Sequence, residues 1–186
     1  MTKQTVVFAT GNKRKIHECR KVLDRYNIDV ETISVDIDEI QHHDPAEITK
    51  AKARAAYGVT NRPVVVQDTS WTIPSLGGFP GGYMKDIAEW WQVQDWLNVM
   101  APYADRKIIC LEHVAYFDGQ NVRHFEASYE CTFVDSPRGD ATKNNSLELV
   151  VGKTADETFA EAHDSGTPGS DDSEHWRIFA EWFSAQ

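Results

Sequence analysis

Val6, Val7, Phe8 and Ala9 form a short apolar run opened by Gln4 and Thr5, and Thr10-Gly11-Asn12 interrupts it with turn-forming residues. Beyond the turn, Ile16, Cys19, Leu23 and Tyr26 recur at spacings of three and four, with Lys13, Arg14, Lys15, Arg20 and Lys21 among them. Such spacing stacks apolar side chains on one helix face, so the pattern predicts strand, tight turn and helix in succession. Residues 30 to 37 alternate, with Ile33, Val35 and Ile37 on one side, and predict a second strand. Asp44-Pro45-Ala46-Glu47 combines an acidic N-cap, proline at the first helical position and glutamate at the third. A helix through about Tyr57, ended by Gly58, follows. Pro63 to Gln67 then reads as a buried strand that stops at Asp68-Thr69-Ser70.

The stretch from Pro74 to Gly82 is rich in proline and glycine and predicts an ordered loop, whereas Met84 to Met100, carrying Trp90, Trp91, Trp96 and Leu97, predicts one aromatic-heavy helix. Strands at 107 to 117 and 122 to 134 flank Asp118-Gly119-Gln120-Asn121, a hairpin turn signal. A short strand at 147 to 151 precedes a helix starting after Thr154, where Glu157 lies three residues on. The segment from His163 to Ser173 is polar and turn-rich, and a last amphipathic helix carries Trp176, Phe179 and Phe183. Early strand–helix alternation followed by a hairpin predicts an α/β protein with a mixed sheet. With 186 residues, 41% of them hydrophobic, the chain can fill one sizeable core, so residues 1–186 read as a single domain.

Charge narrows the choice of partners. The chain has 19 Lys and Arg against 29 Asp and Glu, a net charge of −10, which argues against bulk nucleic acid binding. Free nucleotides stay compatible with this balance, because residues 1 to 25 are locally basic. Cys19, Cys110 and Cys131 show none of the close pairings of zinc or redox motifs. The opening residues are too short an apolar run for a signal peptide, and no stretch approaches the roughly eighteen apolar residues of a membrane span. The expected setting is cytoplasmic, with no membrane partner.

Thr10-Gly11-Asn12 with Lys15 is the first candidate site. Glycine permits close approach to the backbone, N–H groups at the helix start attract an anion, and Lys15 adds a mobile positive charge. The same residues also make an ordinary capped turn, since no complete P-loop is present. Glu47 and Asp68 are the second candidate: Mg²⁺ prefers oxygen ligands and binds substrate phosphates with one or two protein carboxylates. Each acid has a local alternative, Glu47 in a helix cap and Asp68 in a turn. Lys52 is either a third positive group for a polyphosphate or a solvated surface lysine, and Arg54 has an equal claim. The histidines, including the His42-His43 pair, show no ligand spacing, and Ser70 and Ser173 lack the motif of an activated nucleophile.

Four blocks, in order, resemble the inosine triphosphate pyrophosphatase (Ham1-like) family. They are Phe8-Ala9-Thr10-Gly11-Asn12-Lys13-Arg14-Lys15; Glu47 with Lys52-Ala53-Arg54; Val66-Gln67-Asp68-Thr69; and Leu76-Gly77-Gly78-Phe79-Pro80-Gly81-Gly82-Tyr83. The resemblance implies a two-lobed fold, an elongated mixed β-sheet flanked by helices with a central nucleotide cleft, similar to anticodon-nuclease-like α/β proteins. It also implies a homodimer and Mg²⁺-dependent hydrolysis of a nucleoside triphosphate to monophosphate and pyrophosphate. Residue by residue, it implies that Thr10, Gly11, Asn12 and Lys15 bind phosphate and that Lys52 and Thr69 approach the triphosphate. Gly78 and Tyr83 would contact the nucleotide, and Glu47 and Asp68 would hold metal and water. Asp68, Lys15, Glu47 and Lys52 form the implied catalytic set.

The chain also departs from that family. Gln67 replaces the first acid of a paired-aspartate strand end, and Ile48 stands where asparagine is usual. Asp140 to Leu147 lacks the family's aromatic, base-reading segment, which leaves Asn144 or Asn145 to meet a base edge or simply to form a turn. Ser173-Glu174-His175-Trp176-Arg177 keeps the residue types of a base-contacting serine-histidine-arginine cluster with insertions, so His175 and Arg177 are the base-contacting candidates. Two functions follow: a Mg²⁺-dependent pyrophosphatase for a purine nucleotide, non-canonical or modified, and a catalytically weak nucleotide-binding or regulatory protein on the same scaffold. A third, partner binding through Trp90, Trp91 and Trp96, rests on the value of aromatic anchors at interfaces.

Overall fold

The computed structural model describes residues 3–166 and 173–186. Its strands are β1 (Gln4–Ala9), β2 (Ile28–Ile33), β3 (Val64–Thr72), β4 (Pro80–Gly81), β5 (Lys107–Phe117), β6 (Val122–Phe133) and β7 (Val151–Gly152). The helices are α1 (Lys13–Leu23), α2 (Pro45–Thr60), α3 (Met84–Trp90), α4 (Val93–Met100), α5 (Phe159–Asp164) and α6 (Glu174–Ser184). The strands form one sheet in the order β2-β1-β3-β5-β6-β7, with β4 on β3. β1 pairs in parallel with β2 and β3, while β3–β4 and β6–β7 are antiparallel. The fold is therefore mixed α/β, as the pattern predicts. Contacts gather the described residues into two compact units, one within Met1–Thr69, Glu112–Ala127 and Ser170–Gln186, the other within Ser70–Leu111 and Ser128–Gly169.

In the first unit the period-two alternation of strands sorts side chains onto two faces. Val6, Phe8, Val65 and Val114 pack with Cys19, Val22 and Leu23 of α1 and with Trp176, Phe179 and Ala180 of α6. Val7, Ala9, Val64, Val66 and Ala115 pack instead with Ala53 and Ala56 of α2. Burial on both faces explains the unbroken apolar runs of β1 and β3, which polar alternation would not tolerate. The second unit has its own core, in which Ile73, Trp96, Met100, Ile108, Phe133, Leu147, Val150 and Val151 are buried.

Several boundaries differ from the sequence expectation. The second strand ends at Ile33 rather than residue 37. α2 passes through Gly58 to Thr60 and ends on Asn61 at φ 51°, whose N–H donates to Tyr57 O at 2.7 Å. β3 does not stop at Asp68: Trp71 and Thr72 pair with Gly81 and Pro80, and Ile73 is wholly buried in the second unit's core, so the ladder runs on through the polar residues. The expected long helix is two. Gln92 is extended at ψ 166° and forms a capping box with Asp95, which starts α4 afresh. Residues 147 to 150 are turn, and only Val151–Gly152 is strand. Thr154 bridges Glu157, and the next helix begins instead after Thr158, with Glu161 completing the capping box. Part of the polar segment 163 to 173 lies outside the described residues.

Candidate active site

The loop after β1 is shaped by its own side chains. Asn12 N–H donates to Thr10 Oγ1 at 3.1 Å, and Asn12 Oδ1 accepts from the N–H groups of Arg14 at 2.9 Å and Lys15 at 3.3 Å. Asn12 is thus the N-cap of α1, which fixes the first turn of that helix, where Lys15 lies. Gly11 is exposed, with Ser34 Oγ 3.4 Å from where a Cβ would stand.

Lys15 reaches β3. Its Nζ donates to Gln67 O at 3.3 Å and lies 3.9 Å from Asp68 Oδ1. Lys52 of α2 arrives at the same carboxylate oxygen, 4.0 Å away, and its Nζ also pairs with Glu39 Oε1 at 2.5 Å. Asp68 Oδ1 further accepts from Thr69 N–H at 3.1 Å. Burial lowers the Lys15 pKa, while the charges of Asp68 and Glu112 oppose that shift. Asp68 is therefore the point where lysines from two helices meet, and Glu39 adds a second carboxylate through Lys52.

Glu47 takes a different partner. It accepts from Lys50 Nζ at 2.8 Å, and that hydrogen bond lowers its pKa. The described contacts therefore join Glu39, rather than Glu47, to Lys52 and Asp68. Glu39 belongs to an acidic stretch, Asp36-Ile37-Asp38-Glu39, whose spacing carries no motif; the reach of Lys52 is what marks it.

Gln67 and Thr69 point to the other face of β3. Gln67 Nε2 donates to Glu112 Oε2 at 2.8 Å, and Thr69 Oγ1 donates to the same oxygen at 2.9 Å. Gln67 Nε2 also lies 3.3 Å from His175 Nε2, and burial pulls the His175 pKa down to about 3, so the ring is neutral and can accept that N–H. Burial raises the Glu112 pKa, with the Lys15 charge and the two hydrogen bonds opposing it. Gln67 Oε1 is buried without a hydrogen-bond partner among the described residues. A carboxylate from β5, Glu112, thus lies beside Gln67 and Thr69 on this face. Its signal in the sequence is a lone carboxylate inside the apolar run of residues 107 to 117.

The remaining nucleotide-contacting candidates are held locally. Arg177 donates to Glu181 and Glu174, both at 2.7 Å, on the outward side of α6. In the second unit, Asn144 Nδ2 donates to Asp140 O at 3.0 Å and Asp164 Oδ1 at 3.2 Å, and Asn145 Oδ1 accepts from the N–H groups of Leu147 and Glu148. Gly78, at φ 94°, closes the loop by donating to Ile73 O at 3.1 Å. Tyr83 is exposed at the start of α3. Trp90 is 71% exposed, whereas Trp96 is wholly buried and Trp91 packs edge-on against it at 4.6 Å.

Comparison with known proteins reaches most of the chain. The sequence model of the Ham1 family matches residues 6–166. A dITP/XTP pyrophosphatase of Methanopyrus kandleri is 31% identical over 157 residues, covering 84% of this chain and 83% of that protein. An inosine triphosphate pyrophosphatase of Yarrowia lipolytica is 32% identical over 160 residues, covering 84% and 83%. Among solved structures, a HAM1 protein from Coxiella burnetii superposes with a TM-score of 0.73 at 20% identity, covering 98% of this chain and 97% of the other.

Proposed function

Because the chain belongs to the Ham1 family, we propose that it is a nucleoside triphosphate pyrophosphatase, a hydrolase that converts a purine nucleoside triphosphate of the non-canonical kind to its monophosphate and pyrophosphate. One observation carries the reading. Lys15 and Lys52, from separate helices, stand 3.9 and 4.0 Å from one carboxylate oxygen of Asp68. Two ammonium groups facing one partly exposed carboxylate suit a polyanion that binds with a divalent cation, because each charge then gains a partner of opposite sign.

The donor set fits Mg²⁺: Asp68 and Glu39 offer hard carboxylate oxygens beside lysines that suit phosphate. When bound, the ion would withdraw charge from the phosphoryl group undergoing attack. The residues of the chain do the rest. Lys15 and Lys52 hold the phosphate oxygens and stabilise the charge that develops on them in the transition state. A carboxylate of the site orients a water and takes its proton as the new P–O bond forms at the α-phosphorus. The bond to the bridging oxygen breaks, and pyrophosphate leaves. Glu112, through Gln67 and Thr69, braces β3 behind Asp68.

A homodimer and a cytoplasmic setting belong to the same proposal; among the described residues no helix is long and apolar enough to cross a membrane. The second reading, a nucleotide-binding protein that hydrolyses poorly, draws on the local occupation of Arg177, Asn144 and Asn145. A screen of ordinary and modified ribo- and deoxynucleotides with Mg²⁺, read by product mass, separates the two. Monophosphate and pyrophosphate from an inosine- or xanthosine-type triphosphate is the expected result. Saturable binding without product would leave the second reading standing.

The two acidic candidates are separable in the same assay. Glu39→Gln is expected to lower activity about 10–100-fold and to raise the Mg²⁺ concentration required, as loss of a group that organises a metal site does. Glu47→Gln, which removes only an exposed pair with Lys50, is expected to stay within about threefold of the parent. The reverse order of effects would return the metal role to Glu47.

A further inference from the structure

On the α2 face of the first unit, β5 and β6 bring together three side chains that the reaction above does not use. His113 Nδ1 of β5 lies 3.2 Å from His124 Nε2 and 3.2 Å from Glu126 Oε2, both of β6. All three ligand atoms fall within 4.8 Å of one another. The His113 side chain is 1% exposed, whereas that of Glu126 is 46% exposed, so the group is anchored in the core and open to solvent on one side.

Two imidazole nitrogens and a carboxylate oxygen are an awkward hydrogen-bonded cluster when the rings are neutral. A single nitrogen, His113 Nδ1, faces two acceptor-capable atoms, and it has either one proton or one lone pair to offer. Burial pushes the His113 pKa down to about 4 and lowers that of His124, so both rings are neutral near pH 7 and present lone pairs. Both 3.2 Å separations from His113 Nδ1 match the spacing of donors around a small ion: tetrahedral donors held at about 2.0 Å from zinc stand about 3.3 Å apart. Asp44 and Glu47 of the α2 start and Asp68 of β3 add negative potential here, and the charge of Lys50 opposes it at His124.

We propose that His113, His124 and Glu126 form a binding site for a divalent transition-metal ion of the zinc class, with the fourth position left to water. Nitrogen ligands separate this site from the all-oxygen preference of Mg²⁺, so it is additional to the carboxylates around Asp68. An ion held there ties β5 to β6 across their hairpin. The carboxylate Glu126 supplies one negative charge, so the bound centre keeps a net positive charge on the face that also carries Asp68.

Titration of the metal-free full-length protein with Co²⁺, a zinc substitute with visible absorption, tests the proposal without reference to catalysis. The expected result is one ion per chain with the intense absorption of tetrahedral cobalt, displaced by Zn²⁺ and unaffected by millimolar Mg²⁺. His124→Gln and Glu126→Gln should each weaken binding at least tenfold, whereas Asp68→Asn and Glu39→Gln, which remove no ligand, should weaken it by less than about threefold. Glu126 is exposed, so its variant keeps the fold even where the histidine variants do not. No stoichiometric binding, equal binding by Glu126→Gln, or loss of the signal in Asp68→Asn would overturn the assignment.

Discussion

Replacing Asp68 with Asn is expected to reduce turnover of the nucleoside triphosphate by about 10²–10³-fold while the protein stays folded, the scale on which single charge-stabilising groups act in catalysis. The substitution keeps size and shape, and an amide oxygen can still accept the Thr69 N–H that Asp68 Oδ1 now accepts at 3.1 Å. What disappears is the negative charge facing Lys15 and Lys52 at 3.9 and 4.0 Å. Without it the two ammonium groups repel each other and the cation loses a ligand, so both kcat and the Mg²⁺ dependence should change. Steady-state kinetics with varied Mg²⁺, alongside a thermal melt, checks this. Activity within threefold of the parent, in a folded variant, would remove Asp68 from the reaction.

Trp176→Ala should cost about 3–5 kcal/mol of stability, the usual range for deleting a fully buried large aromatic side chain. Trp176 is wholly buried and meets Phe8 edge-on at 4.9 Å and Phe179 at 5.8 Å, joining α6 to β1. Its indole Nε1 is buried with no hydrogen-bond partner among the described residues, so Trp176→Phe gives up a polar atom that earns no hydrogen bond and should be much milder. Arg177→Ala, one position on, removes surface ion pairs with Glu174 and Glu181 and should leave the denaturation midpoint nearly unchanged. Urea denaturation midpoints of the three variants decide the matter. A small effect for Trp176→Ala would mean that α6 is not anchored through this ring.

That contrast shows why the last helix is hard to read in one dimension. Residues 173 to 177 contain the residue types of the base-contacting serine-histidine-arginine cluster that the family resemblance implies, yet consecutive helical positions face different ways. Trp176 turns into the core, His175 turns to Gln67, and Arg177 turns out to Glu174 and Glu181. The identity of the residues is visible in the sequence, but the rotation of the helix is set by which ring fills the space beside Phe8. In the same way Met84 to Met100 reads as one helix by composition, and the break at Gln92 follows from its capping exchange with Asp95.

The sequence by itself determined the parts that depend on near neighbours. Apolar patterning specified β1, α1 and α6, turn residues marked the 118–121 hairpin, and Asn12 and Asp44 capped the helices they precede, because turns, capping and amphipathicity act within a turn or two of chain. Tertiary structure alone decided which carboxylates meet which side chains. Glu39 reaches Asp68 through Lys52 of another element, Glu112 crosses from β5 to Gln67 and Thr69, and His113 meets His124 and Glu126 across two strands. Coulomb and hydrogen-bond energies depend on separation in space, and only the folded chain brings residues 11 to 45 positions apart within a few ångströms.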